Sequence, residues 1–132
     1  MTAIQRLMPT EAYELIKASE GAILLDVRDP VEFSFVGHPV GAINIPWKFA
    51  PDMRGNPDFV QQVSQIAPSH KTPIFLICRS GQRSLAAASV LAESGYGQLA
   101  NIEEGFEGGL DENKHRGHQG GWRYHGLPWV QN

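Results

Sequence analysis

A chain of 132 residues, 42% apolar, 19% charged and with a net charge of −3, is the length of a single domain spanning 1–132 and can bury a core without staples. No apolar run approaches membrane-spanning length, and the slightly acidic balance argues against a general nucleic-acid binder. The first residues, MTAIQRLMPTEAYELI, lack a basic region followed by an apolar stretch and a small-residue cleavage site, so no signal peptide is expected and the cytoplasm is the expected location.

In chain order, the first predicted element is a helix over 10–19, with Thr10 as N-cap, Glu11 in the first turn and Gly21 just beyond the end. AILLDV, residues 22–27, is a continuous apolar run, as expected of a strand buried on both faces of a parallel sheet. AINI at 42–45 is a weaker strand candidate, and the loop PWKFAPDMRGNP leads into a helix over 56–66. A second buried strand, PIFLIC, covers 73–78. The alanine-rich QRSLAAASVLAES at 82–94 predicts a helix that stops at Gly95, and QLANI at 98–102 a last strand. Strands alternating with helices imply a doubly wound α/β domain with a mainly parallel central sheet flanked by helices.

The one cysteine, Cys78, permits neither an internal disulfide nor a thiolate cluster, so it is either an inert buried thiol or a reactive one. It closes a buried strand and a helix begins within a few residues, which puts the thiol at the carboxyl end of the sheet, where open α/β folds bind ligands. The free N–H groups and dipole of a helix start favour an anion there. Gly81 lets the loop curl so that successive amides point inward, and Arg79 and Arg83 add positive charge. Such surroundings favour the thiolate, and Cys78 is expected to be a nucleophile. A structural cysteine packing as a small hydrophobe is the plainer alternative.

CRSGQRS, residues 78–84, resembles the active-site loop of single-domain rhodanese-like sulfurtransferases. LLDVRDPVEF at 24–33 is similar to that family's N-terminal motif, GHPVGAINIP at 37–46 to its second motif, and GLP at 126–128 to its C-terminal one. The resemblance implies a rhodanese-like fold in which Cys78 takes a sulfane sulfur from thiosulfate or a persulfide donor. The resulting persulfide passes its sulfur to cyanide or a thiol acceptor, including a protein thiol, in two covalent steps. Backbone amides of Arg79, Ser80, Gly81, Gln82, Arg83 and Ser84 would cradle the transferring anion, and the two guanidinium groups would orient it. Either arginine has the alternative of a solvated or salt-bridged loop residue, and Ser84 that of a helix cap. No cofactor is implied. With no second cysteine, the acceptor must come from outside the chain.

Asp26, Arg28 and Glu32 read as scaffold beneath the loop, with Arg28 and Glu32 spaced to pair and Asp26 placed to accept loop amides. His38 suits hydrogen bonding within its turn better than acid–base chemistry. Trp47 and Phe106 would wall the pocket or belong to the core. Cysteine phosphatases and arsenate reductases form a rival class, but their pattern places five residues between cysteine and arginine, whereas four separate Cys78 from Arg83. A second rival is a noncatalytic, redox-sensing or sulfur-carrier module.

Between Phe106 and Trp122 the chain departs from the family pattern by a polar stretch rich in glycine and charge, residues 107–121, read as an inserted loop that either stays solvated or folds over the pocket. His115, His118 and His125 raise the question of a metal. No carboxylate or cysteine is identifiable as their partner, so the expectation is none.

Overall fold

The computed structural model describes residues 3–131. In chain order its elements are β1 (Ile4–Leu7), α1 (Pro9–Ala18), β2 (Ile23–Asp26), a π-helical turn (Glu32–Val36), β3 (His38–Pro39), β4 (Ile43–Asn44), β5 (Lys48–Phe49) and β6 (Arg54–Gly55). There follow α2 (Phe59–Ile66), β7 (Ile74–Ile77), α3 (Gln82–Glu93), β8 (Leu99–Ile102) and β9 (Trp129–Val130). Strands β1-β8-β7-β2-β4 form one sheet in that order, with every pairing parallel. No helix among the described residues is long and apolar enough to cross a membrane.

The apolar runs become central strands because both of their faces are covered. Successive side chains of a strand point to opposite faces. Leu25 and Val27 with Ile74, Leu76 and Cys78 therefore join one core, completed by Phe59 and Val63 of α2 and by Ala87, Ala88 and Leu91 of α3. Leu24, Phe75 and Ile77 face the other way and pack with Ala12 of α1, Ala100, Ile102, Phe106 and Trp122. The alanines of α3 let that helix lie close on the sheet, as its composition implies.

Strand order also fixes where a ligand can bind. From β2 the chain moves outward to the edge strand β4, whereas from β7 it moves the opposite way to β8. The crevice between the carboxyl ends of β2 and β7 is thus the point where the winding reverses, the usual ligand site of an open parallel sheet. Cys78 is the first residue past β7.

Several elements differ from the sequence expectations. The first helix starts at Pro9, with Met8 rather than Thr10 preceding it; proline suits a first helical position, and the Met8 amide donates to Glu11 Oε1 at 3.2 Å. Helix α2 begins at Phe59 because Asn56 and Asp58 are held in a turn, the Asp58 amide donating to Asn56 Oδ1 at 3.1 Å. Strand β1 and the small pairs β5–β6 and β3–β9 were not expected.

Trp122, beyond the polar stretch, anchors the C-terminal segment. It is 1% exposed, meets Tyr13 of α1 edge-on at 5.7 Å between ring centres, and donates from Nε1 to the Pro128 carbonyl at 2.9 Å. Trp122→Ala is expected to cost about 3–5 kcal/mol in urea unfolding, as for other large buried aromatics. A loss below about 1 kcal/mol would mean that this segment is not part of the cooperative core.

Candidate active site

The loop that carries Cys78 is built by ending a strand and starting a helix within four residues. Gly81 adopts φ 107°, a left-handed conformation that side-chain-bearing residues rarely tolerate, and stands at the N-cap of α3. The chain consequently folds back on Cys78, whose Sγ accepts the Gly81 amide at 3.1 Å. The Ser84 hydroxyl lies 3.3 Å from the same sulfur. Cys78 is 1% exposed, so the sulfur sits almost enclosed at a helix start, where unpaired amides favour negative charge.

A second layer fixes the loop from outside. The amides of Phe106 and Glu107 donate to the carbonyls of Cys78 and Arg79 at 2.8 and 3.0 Å. Both carbonyls are thereby held by the following segment and do not compete for the space around the sulfur. This approach requires Gly105, at φ 64°, because a Cβ there would stand 2.5 Å from the Cys78 carbonyl oxygen.

Asn101, in β8, is a site residue that the sequence reading missed. Fully buried, it accepts from the Ser84 hydroxyl at 2.5 Å and donates from Nδ2 to the Gly81 carbonyl at 3.2 Å. A serine hydroxyl has one proton, so Ser84 donates to one acceptor at a time and Asn101 Oδ1 is the nearest. The available signal was a lone amide in an otherwise apolar strand, LANI, since a buried polar side chain must find partners.

The two loop arginines have different surroundings. Arg83 makes a two-pronged pair with Glu32, Nη1 to Oε1 at 2.7 Å and Nη2 to Oε2 at 3.0 Å. Burial by itself would push the Glu32 carboxyl up, but the Arg83 fork, helped by Arg28, outweighs it and holds Glu32 below its ordinary range. The hydrogen bond to Glu32 makes Arg83 still harder to deprotonate, and the charged form of Cys78 acts in the same direction. Arg79 is exposed and, among the described residues, its side chain makes no hydrogen bond or ion pair. Ser80 is half-buried and Gln82 exposed, and among the described residues the loop amide on the sulfur is that of Gly81.

The expected Arg28–Glu32 pair does not form. Arg28 turns instead to Asp26, two residues back, with Nη2 to Oδ2 at 2.6 Å and Nε to Oδ1 at 2.9 Å, both side chains fully buried. Its other contacts are the Gly37 carbonyl at 2.6 Å and the face of Phe106 at 4.7 Å. Asp26 does accept a loop amide, that of Arg28 at 3.1 Å. His38 stacks on Phe33 at 3.7 Å between ring centres, with Nδ1 2.9 Å from the Phe33 carbonyl. Trp47 is half-buried and packs edge-on against Phe59, while Phe106 is fully buried in the core. Glu32 thus meets the loop through Arg83 and Phe106 through its amide, Asp26 and Arg28 stand one contact further out against the Phe106 ring, and the Trp47 amide donates not to the loop but to the Val27 carbonyl at 2.9 Å.

The Glu32–Arg83 pair has a pH signature. A carboxyl with a depressed folded-state pKa contributes stability above its unfolded value, 4.5 for Glu32, and loses it as pH falls through the folded value. Glu32→Gln is expected to lower stability by about 1–3 kcal/mol at neutral pH, between the values for exposed and buried pairs. Denaturation of the two proteins across the acid range should show the gap closing below the unfolded value; a constant gap would assign the loss to something other than this ion pair.

The sequence profile described as Rhodanese-like domain matches residues 8–112. The uncharacterized protein RC0915 of Rickettsia conorii is 31% identical over 96% of this chain and 98% of its own. The chloroplastic thiosulfate sulfurtransferase 16 of Arabidopsis thaliana is 37% identical over 90% of this chain and 87% of its own. Among solved structures, Rv0390 from M. tuberculosis superposes over the whole of both chains with a TM-score of 0.86 and 35% identity. A thiol seated at a helix start at the winding reversal, within a chain similar throughout to these proteins, identifies this protein as a member of the rhodanese-like domain family.

Proposed function

We propose that the protein is a sulfurtransferase that carries sulfane sulfur on Cys78. The observation that carries this reading is the Gly81 amide donating to Cys78 Sγ at 3.1 Å at the start of α3. In the first step the Cys78 thiolate attacks the outer sulfur of thiosulfate or of a persulfide. The donor's S–S bond breaks, and sulfite or a thiolate leaves with the electron pair. In the second step cyanide or an external thiolate attacks the terminal sulfur of the Cys78 persulfide, giving thiocyanate or a new persulfide and returning the Cys78 thiolate. Each bond broken is matched by one formed, so no outside oxidant or reductant is needed.

The backbone amides of 79–84 and the α3 dipole suit the negative charge that the terminal sulfur carries between the steps. A thiol that is 1% exposed favours a slim donor whose reacting atom is terminal. Of the two arginines, Arg79 is the one available to an incoming anion, because both prongs of Arg83 are engaged by Glu32. The same engagement weighs against phosphate-ester chemistry, which would need that arginine for its substrate.

Thiocyanate production from thiosulfate and cyanide tests the proposal. Cys78→Ala should abolish turnover. Arg79→Ala should raise the KM for thiosulfate by roughly tenfold with a smaller change in kcat, the loss expected of one charge-assisted contact. Sulfur transfer retained by Cys78→Ala would contradict the mechanism, and an unchanged KM in Arg79→Ala would remove Arg79 from donor binding.

A further inference from the structure

The polar stretch 107–121 is tied into a defined shape. The Asp111 amide donates to the His115 carbonyl at 2.8 Å and the Lys114 amide to the Asp111 carbonyl at 3.0 Å, closing a turn. At its foot the Gly117 amide donates to the Glu107 carbonyl at 2.9 Å, and Arg116 Nη1 to the Gly108 carbonyl at 2.8 Å. Within this frame Asp111, His115 and His118 converge, each offering one ligand atom, all within 4.8 Å of one another.

The Asp111 carboxylate is already oriented. Its Oδ1 accepts the amides of Asn113 and His115, both at 2.8 Å, which leaves Oδ2 facing His118 Nδ1 at 3.1 Å. Two ligand atoms on one zinc-sized ion stand about 3.4 Å apart when each bond is about 2.1 Å long and the shell is tetrahedral. The Asp111–His118 separation meets this already. His115 is exposed, and because its ligand atom lies within 4.8 Å of the other two, a swing of no more than about 1.4 Å brings a nitrogen into the same shell.

We propose that Asp111, His115 and His118 form a binding site for a borderline divalent cation of the zinc class. Two imidazoles and one carboxylate suit zinc or cobalt(II), whereas calcium and magnesium prefer all-oxygen shells. Water completes the coordination on the exposed side. The carboxylate that the sequence reading did not identify is Asp111, which the 111–115 turn folds back against the two histidines. The ion cross-links a segment whose first residue, Glu107, fastens the Arg79 carbonyl. The proposal is independent of sulfur transfer.

Zinc chloride titrated calorimetrically into untagged protein tests it, in a Cys78→Ser background so that the thiol cannot ligate. One equivalent should bind and raise the melting temperature, and cobalt(II) at the same site should give ligand-field absorption bands. His115→Ala and His118→Ala should each weaken binding by at least about tenfold, since even an outer-shell partner contributes 10–100-fold. Both rings are exposed, so metal-free melting should be unchanged, and His125→Gln should bind as the parent does. Failure of the parent to bind one equivalent, or unaltered affinity in either single variant of the cluster, would overturn the site.

Discussion

The constraint on which the site depends is the seating of the turn after β8 against the loop after β7. Phe106 and Glu107 donate to the carbonyls of Cys78 and Arg79, and Gly105 lets the two backbones approach within a distance that any Cβ would block. With those carbonyls held, the loop curls through Gly81 and presents the Gly81 amide hydrogen to the sulfur. The same turn continues into the 107–121 segment and then to Trp122 in the second core. The segment at Trp122 and the Cys78 loop are therefore hydrogen-bonded to the same turn, Trp122 to the Gly105 carbonyl and Cys78 to the Phe106 amide, although they lie far apart in sequence.

Two ion pairs support this arrangement in different ways. Asp26–Arg28 lies wholly inside the protein, where desolvation offsets much of the Coulomb attraction. Its value is geometric, because Arg28 joins the end of β2, the Gly37 carbonyl and the Phe106 ring beneath the loop. Glu32–Arg83 is partly exposed and ties the π-helical turn to the first turn of α3. It keeps a positive charge near the thiol while taking that guanidinium out of competition for ligands, so a charged side chain can influence the site without touching a substrate.

Much of this was legible in the sequence where a signal was local. Continuous apolar runs marked β2 and β7, alanine content marked α3, and Cys78 followed by Gly81 and a helix marked the loop. What was not legible depends on distant partners. IQRL has little strand character alone and becomes β1 because β8 offers an open edge for parallel pairing. Arg28 and Glu32 are correctly spaced for a helical pair, but the helical stretch begins only at Pro30, so Arg28 lies before it and folds back on Asp26, and Glu32 is left for Arg83, 51 residues away. Asn101 acquires Gly81 and Ser84 only when the chain closes on itself, whereas the partners of Asp111 are local, two to seven residues on, and are gathered by a polar turn with no apolar pattern to mark it.

The central claim is that Cys78 carries the sulfur. Intact mass of the reduced protein before and after brief exposure to thiosulfate, then after cyanide, tests it most directly, with Cys78→Ser alongside. The account predicts that the wild type gains one sulfur atom and loses it to cyanide while Cys78→Ser gains none. A wild type that takes up no sulfur from thiosulfate or from glutathione persulfide, or a Cys78→Ser protein that does, would contradict it.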